Sequence, residues 1–348
     1  METGMEIRID REYMNDILLR LLAVPSPSGF CGRIIGLVEE EAAALGCLTE
    51  RTPKGCSILT VPGKSDEVLG ISAHVDTLGA MVRSVKPNGT LRFTPVGGYM
   101  MQSVENEYCR VHTRDRREYE GTVLSVKPSV HVYGDARELK REEVNMEIRL
   151  DERVASKEDV AQLGIQTGDY ISWDPRTRKL ANGYIKSRHL DDKAGVAAVL
   201  AMLKALKDSG TVPERTVKVF ISVYEEVGHG SSSLPADIRE LIAVDMGAMG
   251  DDLECKETDV SICAKDSSGP YDYEMTSRLI ELAKKERIPF AVDIYPNYSS
   301  DATAALRGGS NIRAALIGPG VHASHGMERT HEDAIANTAV LLLAYVTQ

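Results

Sequence analysis

Residues 67–76 read Glu67-Val-Leu-Gly-Ile-Ser-Ala-His-Val-Asp76, and this stretch decides the fold. Val68 to Ala73 is a short, nearly unbroken apolar run, the pattern of a strand buried on both faces. His74 and Asp76 follow at its C-terminal end, the edge where open α/β sheets place their chemistry. Upstream, Asp10 caps a predicted helix that ends near Leu22, with Ile17, Leu18, Leu21 and Leu22 on one face. Pro25-Ser-Pro-Ser-Gly ends it, a second helix spans about 32–45, and Ser57 to Val61 reads as a strand.

Downstream, residues 80–181 change character. Short alternating runs around Met81, Thr90, Cys109, Gly121 and Glu147 are separated by Asn88-Gly89, Gly97-Gly98, Pro128 and Gly168-Asp169. These are strands and turns. The α/β rhythm returns at Leu190, with a helix over 194–206 and strands over 216–223 and 241–244. A helix over 271–285, strands over 291–294 and 313–317, and a last helix capped by Asp333 and running to Tyr345 complete it. Neither α/β part has enough strands alone, so the two are expected to share one sheet. The expected fold is α/β: a mixed central sheet with helices on both faces, from residues 1–79 and 182–348. A smaller β-rich, barrel-like domain over 80–181 is inserted into it.

Composition narrows the function. At 348 residues, about two domains are expected. With 43% hydrophobic and 27% charged residues, disordered, collagen-like and disulfide-stapled chains are excluded. Lys+Arg 41 against Asp+Glu 52 gives a net charge of −11, which argues against a nucleic-acid partner. With aromatics at 5%, stacking platforms for sugars or bases are scarce. No run approaches the roughly 18 apolar residues of a membrane span, so no membrane partner is expected. The charged start, Met1-Glu-Thr-Gly-Met-Glu, lacks the apolar core of a leader peptide. Six scattered cysteines without a CxxC pair read as reduced thiols, and the expected setting is cytoplasmic.

The chemistry gathers at strand ends. His74-Val-Asp76 puts a carboxylate where it can orient an imidazole as a ligand, although alone it is also an ordinary polar loop. Asp191-Asp192 opens a helix, where the dipole favours Asp by about 0.3–1 kcal/mol, so capping accounts for the pair taken alone. Glu225-Glu226 follows a central strand, where adjacent carboxylates are costly unless exposed or neutralised by a cation. Chain neighbours diverge, so one can bind a metal while the other serves as a base. Asp245 closes another apolar strand, and His322, His325 and His331 precede the last helix. Together these residues are the ligand inventory of a two-metal site. Imidazole and carboxylate without thiolate suit zinc, cobalt or manganese.

The ordered set Ala73-His-Val-Asp, Leu190-Asp-Asp-Lys-Ala-Gly, Glu225-Glu-Val-Gly, Val244-Asp-Met-Gly, Ser300-Asp-Ala and a late His resembles the M42 family of metallo-aminopeptidases. That family includes glutamyl aminopeptidases and tetrahedral peptidases, and some members carry an old endoglucanase label. The similarity spans nearly the whole chain, insert included, through Gly121-Thr-Val-Leu, Leu163-Gly-Ile-Gln-Thr-Gly-Asp-Tyr and Ala181-Asn-Gly-Tyr. The resemblance implies His74 on one metal with Asp76 orienting it, and Asp191 bridging both metals. Asp245 would complete the first site, Glu226 and His325 the second, and Glu225 would be the general base. It also implies a cis peptide after Asp191, peptide substrates, and dimers or hollow dodecamers built through the inserted domain. Two departures stand out: Thr77-Leu78-Gly79 where many members read Glu-Ile-Gly, and His325-Gly-Met-Glu where the family reads His-Ser-Pro followed by Val-Glu. Counting back from the last helix favours His325, with His322 and His331 as alternatives. His112, His131, His189 and His229 fall outside the expected ligand set.

Three other functions fit parts of this pattern. A dinuclear deacylase or carboxypeptidase shares the metal logic, and a peptide-binding homologue would have lost its metals. A glycoside hydrolase needs two carboxylates about 5–5.5 or 6.5–9.5 Å apart and no metal.

Overall fold

The structure, a computed structural model, describes residues 8–348. The charged amino-terminal stretch from Met1 to Glu6 lies outside the described residues. Helix α1 (Arg11–Leu22) starts where Asp10 accepts the Tyr13 N–H at 3.0 Å, and buries Met14, Ile17, Leu18 and Leu21. Helix α2 (Gly32–Ala44) leads to strands β1 (Leu48–Arg51), β2 (Ser57–Val61) and β3 (Ser65–His74). Strand β3 is buried from Val68 to His74, as its apolar run requires.

Strands β4 (Gly79–Val85), β5 (Leu91–Val96), β6 (Tyr108–His112), β7 (Glu118–Ser125) and β8 (Met146–Leu150) follow. After helix α3 (Lys157–Gln162) comes β9 (Tyr170–Trp173). These strands close a barrel in the order β4-β5-β8-β7-β6-β9. Its core holds Val82, Phe93, Val111, Val123, Ile148 and Trp173.

The chain returns through β10 (Arg178–Lys179) and β11 (Tyr184–Ser187) into α4 (Leu190–Ser209). Then come β12 (Arg215–Ser222), β13 (Ile238–Val244), β14 (Val260–Asp266), β15 (Gly269–Pro270), α5 (Tyr273–Lys285) and β16 (Phe290–Ile294). Helix α6 (Asp301–Arg307), β17 (Arg313–Pro319), β18 (Glu328–His331) and α7 (Glu332–Val346) complete it. Among the described residues, nine strands from both sides of the barrel form one sheet, ordered β1-β2-β12-β3-β13-β17-β14-β15 with β16 beside β14. Strands β12, β3, β13 and β17 are mutually parallel, and the flanking β2 and β14 run antiparallel to this centre.

Period-two alternation on the central strands divides the core. Ile242 and Val244 of β13, with Ala315 and Ile317 of β17, face the layer of α1, α2, α4, α5 and α7. Leu241, Ala243, Ala314 and Leu316 face α6 and Tyr295 on the opposite side. This is the mixed sheet with helices on both faces, carrying a barrel between two of its strands. Three local expectations change. The cap of α7 is His331, whose ring nitrogen accepts the Asp333 N–H at 3.1 Å, so Asp333 lies inside the helix. Asp191 and Asp192 do not start a regular helix, since both have non-helical backbone angles, while the cis peptide joining them is the one the family resemblance implied. Strand β14 has no counterpart in the sequence reading. No helix among the described residues is long and apolar enough to cross a membrane.

Candidate metal centre

Parallel neighbours end at the same edge, so β3, β12 and β13 deliver their C-terminal residues to one place. His74 ends β3, Glu225 and Glu226 form a short turn just beyond β12, and Asp245 follows β13. Asp191 enters from the start of α4 and His325 from the loop before β18. A β-carbon on Gly318 of β17 would meet the Asp245 carbonyl oxygen at 1.7 Å, so only glycine lets that strand pass so close.

The sequence-predicted residues converge. His74 Nε2 lies 3.1 Å from Asp191 Oδ1, 3.7 Å from Glu225 Oε2 and 3.9 Å from Asp245 Oδ1. The other Asp191 oxygen is 3.3 Å from His325 Nε2, which is also 3.4 Å from Glu226 Oε2. Asp191 therefore turns one oxygen to each imidazole. Both imidazoles are held the same way: His74 Nδ1 is 3.0 Å from the Asp76 carbonyl, and His325 Nδ1 is 2.5 Å from the Gly98 carbonyl of the barrel. A carbonyl only accepts, so each Nδ1 carries a proton and donates. Each Nε2 then faces the carboxylates in the orientation a ligand nitrogen needs.

Asp76 differs in detail from its expected part. Its carboxylate lies 3.6 Å from His74 Nδ1, while its main-chain carbonyl makes the closer contact to the ring. The carboxylate instead accepts the Glu225 N–H at 3.1 Å, the Glu226 N–H at 3.3 Å and the Ser28 hydroxyl at 2.5 Å. It fixes the turn that carries the two glutamates. Asp192 accepts the His74 N–H at 3.3 Å.

Apart from His189, which borders Asp191 and His325, the remaining histidines lie outside this cluster. His322 pairs through its backbone with Arg329, and His331 caps α7 while its Nε2 bonds the Asn182 carbonyl. His112 bonds Ser172 on the barrel, and His229 stacks on Tyr224. His189 is buried at the entry to α4, and His131 is exposed on a barrel loop.

Three supporting residues were given no role by the sequence. Buried Glu328 accepts the Asp191 N–H at 3.1 Å and the His325 N–H at 3.0 Å, tying two site segments together. Asp301, in the quoted Ser300-Asp-Ala, accepts the Ser231 N–H at 2.8 Å and anchors the loop after the glutamates. Tyr298 donates to the Met246 carbonyl at 3.1 Å, beside Asp245. The only sequence signal for Glu328 is its place three residues after His325.

The electrostatics describe a site that draws positive charge. Burial, then the Asp245 and Asp301 charges against the pull of His74, hold Glu225 well above the usual carboxyl range. Burial and Asp191 do the same to Glu226, and raise Asp245 to about 8. Burial alone would lower both imidazoles. The Asp191 hydrogen bond and nearby carboxylates instead hold His74 well above its ordinary value and His325 at about 10. Among the described residues, the ion-pair partners of Asp191, Glu225, Glu226 and Asp245 are these two imidazoles.

That imbalance, the fixed tautomers and the donor types fit divalent cations. Ligand atoms of His74, Asp191 and Glu226 all lie within 4.8 Å of one another, as do those of His74, Asp192 and Asp245. Asp192 joins the second grouping, which the sequence reading did not include. A cavity of about 760 Å³ opens over the cluster, walled by Tyr99 and Met100 from the barrel and by Met246, Tyr298 and Ser324 from the α/β part.

Comparison with known proteins agrees with this architecture. The chain is 44% identical over 333 residues to YhfE of Bacillus subtilis (strain 168), named as an aminopeptidase, covering 95% of this chain and 96% of that protein. In fold it is similar to aminopeptidase APDkam598 from the archaeon Desulfurococcus kamchatkensis. The TM-score is 0.88 at 23% identity, with 97% of this chain and 95% of that one covered. It is also similar to the TET1 peptidase of Pyrococcus horikoshii, described as assembling into a tetrahedron or a large octahedral shell. There the TM-score is 0.84 at 22% identity, with 96% and 99% covered. At these identities the two structures establish the fold alone. The model of the M42 glutamyl aminopeptidase family matches residues 55–341, and the chain belongs to that family.

Proposed function

We propose that this chain is a dinuclear metal-dependent aminopeptidase that removes N-terminal residues from peptides. The observation that carries the reading is Asp191 standing between two imidazoles whose Nδ1 atoms are both committed to main-chain carbonyls, with Glu225 alongside. His74, Asp191 and Asp245 would hold one ion, and Asp191, Glu226 and His325 the other, with zinc, cobalt or manganese as candidates. When bound, such ions supply Lewis acidity to the scissile carbonyl and lower the pKa of water.

The chain's own residues supply the rest. Glu225, lining the cavity, takes a proton from the attacking water and returns it to the leaving amine. Asp76 keeps that carboxylate in place through the Glu225 and Glu226 N–H groups. Among the described residues, every charged residue lining the cavity belongs to the cluster itself, and none is Lys or Arg. The free ammonium of a peptide N-terminus therefore meets acids there. The carboxylate of a C-terminus, or of an N-acyl amino acid, would find no guanidinium or ammonium side chain in the lining to pair with. This favours the aminopeptidase reading over a carboxypeptidase or deacylase.

The test is chelation, reloading with each candidate metal, and assay on aminoacyl p-nitroanilides beside N-acyl amino acids. Metal-dependent release from the first group alone is expected. Protein carrying two metal equivalents yet inert on every aminoacyl substrate would overturn the proposal.

We also infer assembly into a homo-oligomer through the barrel, with a dimer as the basic unit and a dodecamer as the larger form. The shells described for the TET1 relative support this, as do Val130, Val132 and Val144, exposed on a barrel loop. Light scattering at micromolar concentration should give a multiple of 38.0 kDa, and a monomer would refute it. The six buried, unpaired cysteines support a reducing, cytoplasmic setting.

A further inference from the structure

The cavity over the cluster has two unlike halves. One is the ring of acids and the His325 imidazole. The other, continuing past Asp245, is built by Met246, Ala248, Leu253 and Tyr298. Ala248, Leu253 and Tyr298 pack on an apolar cluster that includes Leu241, Leu316 and Tyr295. Tyr295 is buried, with its hydroxyl engaged by Ser261, and its ring lies 5.1 Å from that of Tyr298. The Tyr298 hydroxyl is committed to the Met246 carbonyl. The Tyr295 tip is thus spent within the wall and the Tyr298 tip is turned to Met246 and Asp245, so what these two rings leave to the cavity is mostly hydrocarbon. What polar lining remains, such as Asn297, Ser299 and Ser324, is neutral.

From this wall we infer that the enzyme selects a neutral, apolar N-terminal side chain, of leucine or methionine type, and discriminates against glutamyl and lysyl ends. The inference rests on the aminopeptidase reading and deepens it by naming the substrate class. Among the described residues, a glutamyl side chain entering this half finds no lysine, arginine or histidine, and burying a carboxylate without a partner is costly. A lysyl side chain finds no acid beyond the cluster, and burying an ammonium without a partner is costly. An apolar side chain releases water from Met246, Leu253 and the Tyr298 ring with nothing left unpaired. A pocket of this kind separates neighbouring apolar side chains only modestly, so the sharp division falls between uncharged and charged ends.

The experiment measures kcat/KM of the metal-loaded protein on leucyl, methionyl, alanyl, glutamyl and lysyl p-nitroanilides. It also measures Kd for leucyl, glutamyl and lysyl hydroxamates by calorimetry on the same protein. Leucyl or methionyl substrate is expected to exceed both charged ones by at least about tenfold in kcat/KM, with the hydroxamates in the same order. Two variants sharpen the test. Leu253→Arg, at a partly exposed loop position, should raise the glutamyl-to-leucyl ratio at least about tenfold. Ala248→Asp should raise the lysyl-to-leucyl ratio likewise. Ratios within one variant cancel any loss of folded or metal-loaded protein. Turnover that is fastest on a glutamyl or lysyl substrate would overturn the inference and leave the aminopeptidase reading intact. So would ratios unmoved in both variants. Absence of turnover on every substrate, with leucyl hydroxamate still bound at least about tenfold more tightly than the charged pair, would overturn the reading and leave the apolar pocket standing. Equal binding of all three hydroxamates would remove the pocket.

Discussion

One strand carries two buried acids that meet opposite fates. Near the start of β13, Glu240 is gripped by two guanidinium groups: Arg215 lies 2.7 Å from one oxygen, Arg313 bonds the other, and the Tyr345 hydroxyl adds a contact at 3.2 Å. Despite burial, these partners hold its carboxyl below the usual range. Just past the other end, Asp245 has no guanidinium, and burial beside Asp191 lifts it to about 8. The strand is thus neutralised at one end and left with surplus negative charge at the other. Matched charge there serves stability, and unmatched charge is what a cation-dependent reaction requires.

The contrast breaks most sharply at Glu225. Glu225→Gln should lower kcat by about 10³-fold, within the 10²–10⁴ typical of a lost general base. It should retain two metal equivalents and show no fall in thermal midpoint. Near-normal turnover would remove Glu225 from its role.

A second matched pair shows the reverse behaviour. Arg188, at the entry to α4, lies 2.7 Å from Glu107 of the barrel, and both are buried. Arg188→Ala leaves the buried Glu107 carboxylate with the Tyr108 N–H and the more distant Arg176, and should cost about 3 kcal/mol in urea unfolding. A loss below about 1 kcal/mol would show that water reaches this contact.

Glu240→Gln should cost about 2 kcal/mol, less than Arg188→Ala because half-exposed Arg313 keeps its access to water. A depressed carboxyl stabilises above its unfolded-state pKa of about 4.3 and loses that contribution as pH falls through the lower native value. The variant should therefore lose stability at pH 7 and show a flatter acid limb below about pH 4. Its turnover per folded molecule should be unchanged, which a coupled assay and unfolding series would check. The smallest effect is expected from Ser28→Ala. It removes one donor from Asp76 and leaves the Glu225 and Glu226 N–H groups bonded, so activity should fall less than tenfold.

Much of this arrangement was legible where burial dictates sequence. The run from Val68 to Ala73 announces a strand covered on both faces because no position in it meets water. The glutamate pair was legible because two adjacent acids at a strand end are costly without a cation. What stayed hidden depends on partners remote in the chain. Strand β14 mixes Ser261, Cys263 and Lys265 among its apolar residues, and its identity rests on pairing with β16 and β17. Glu328 reads as an ordinary acid, because its two N–H partners belong to Asp191 and His325. Asp333 carries the residue type of a cap, but His331 begins the helix turn and takes its place. The division of labour in Asp76, with its carbonyl on the imidazole and its carboxylate on the glutamate turn, is backbone geometry that residue identity does not encode.

His74 is synthesised early and His325 near the end, and the whole barrel is made between them. A chain still emerging from the ribosome holds only part of the proposed catalytic set, and a cut between His74 and His325 divides that set between two pieces. Destructive capacity therefore arrives with the final stage of folding, and damage that separates the two ends disarms the enzyme.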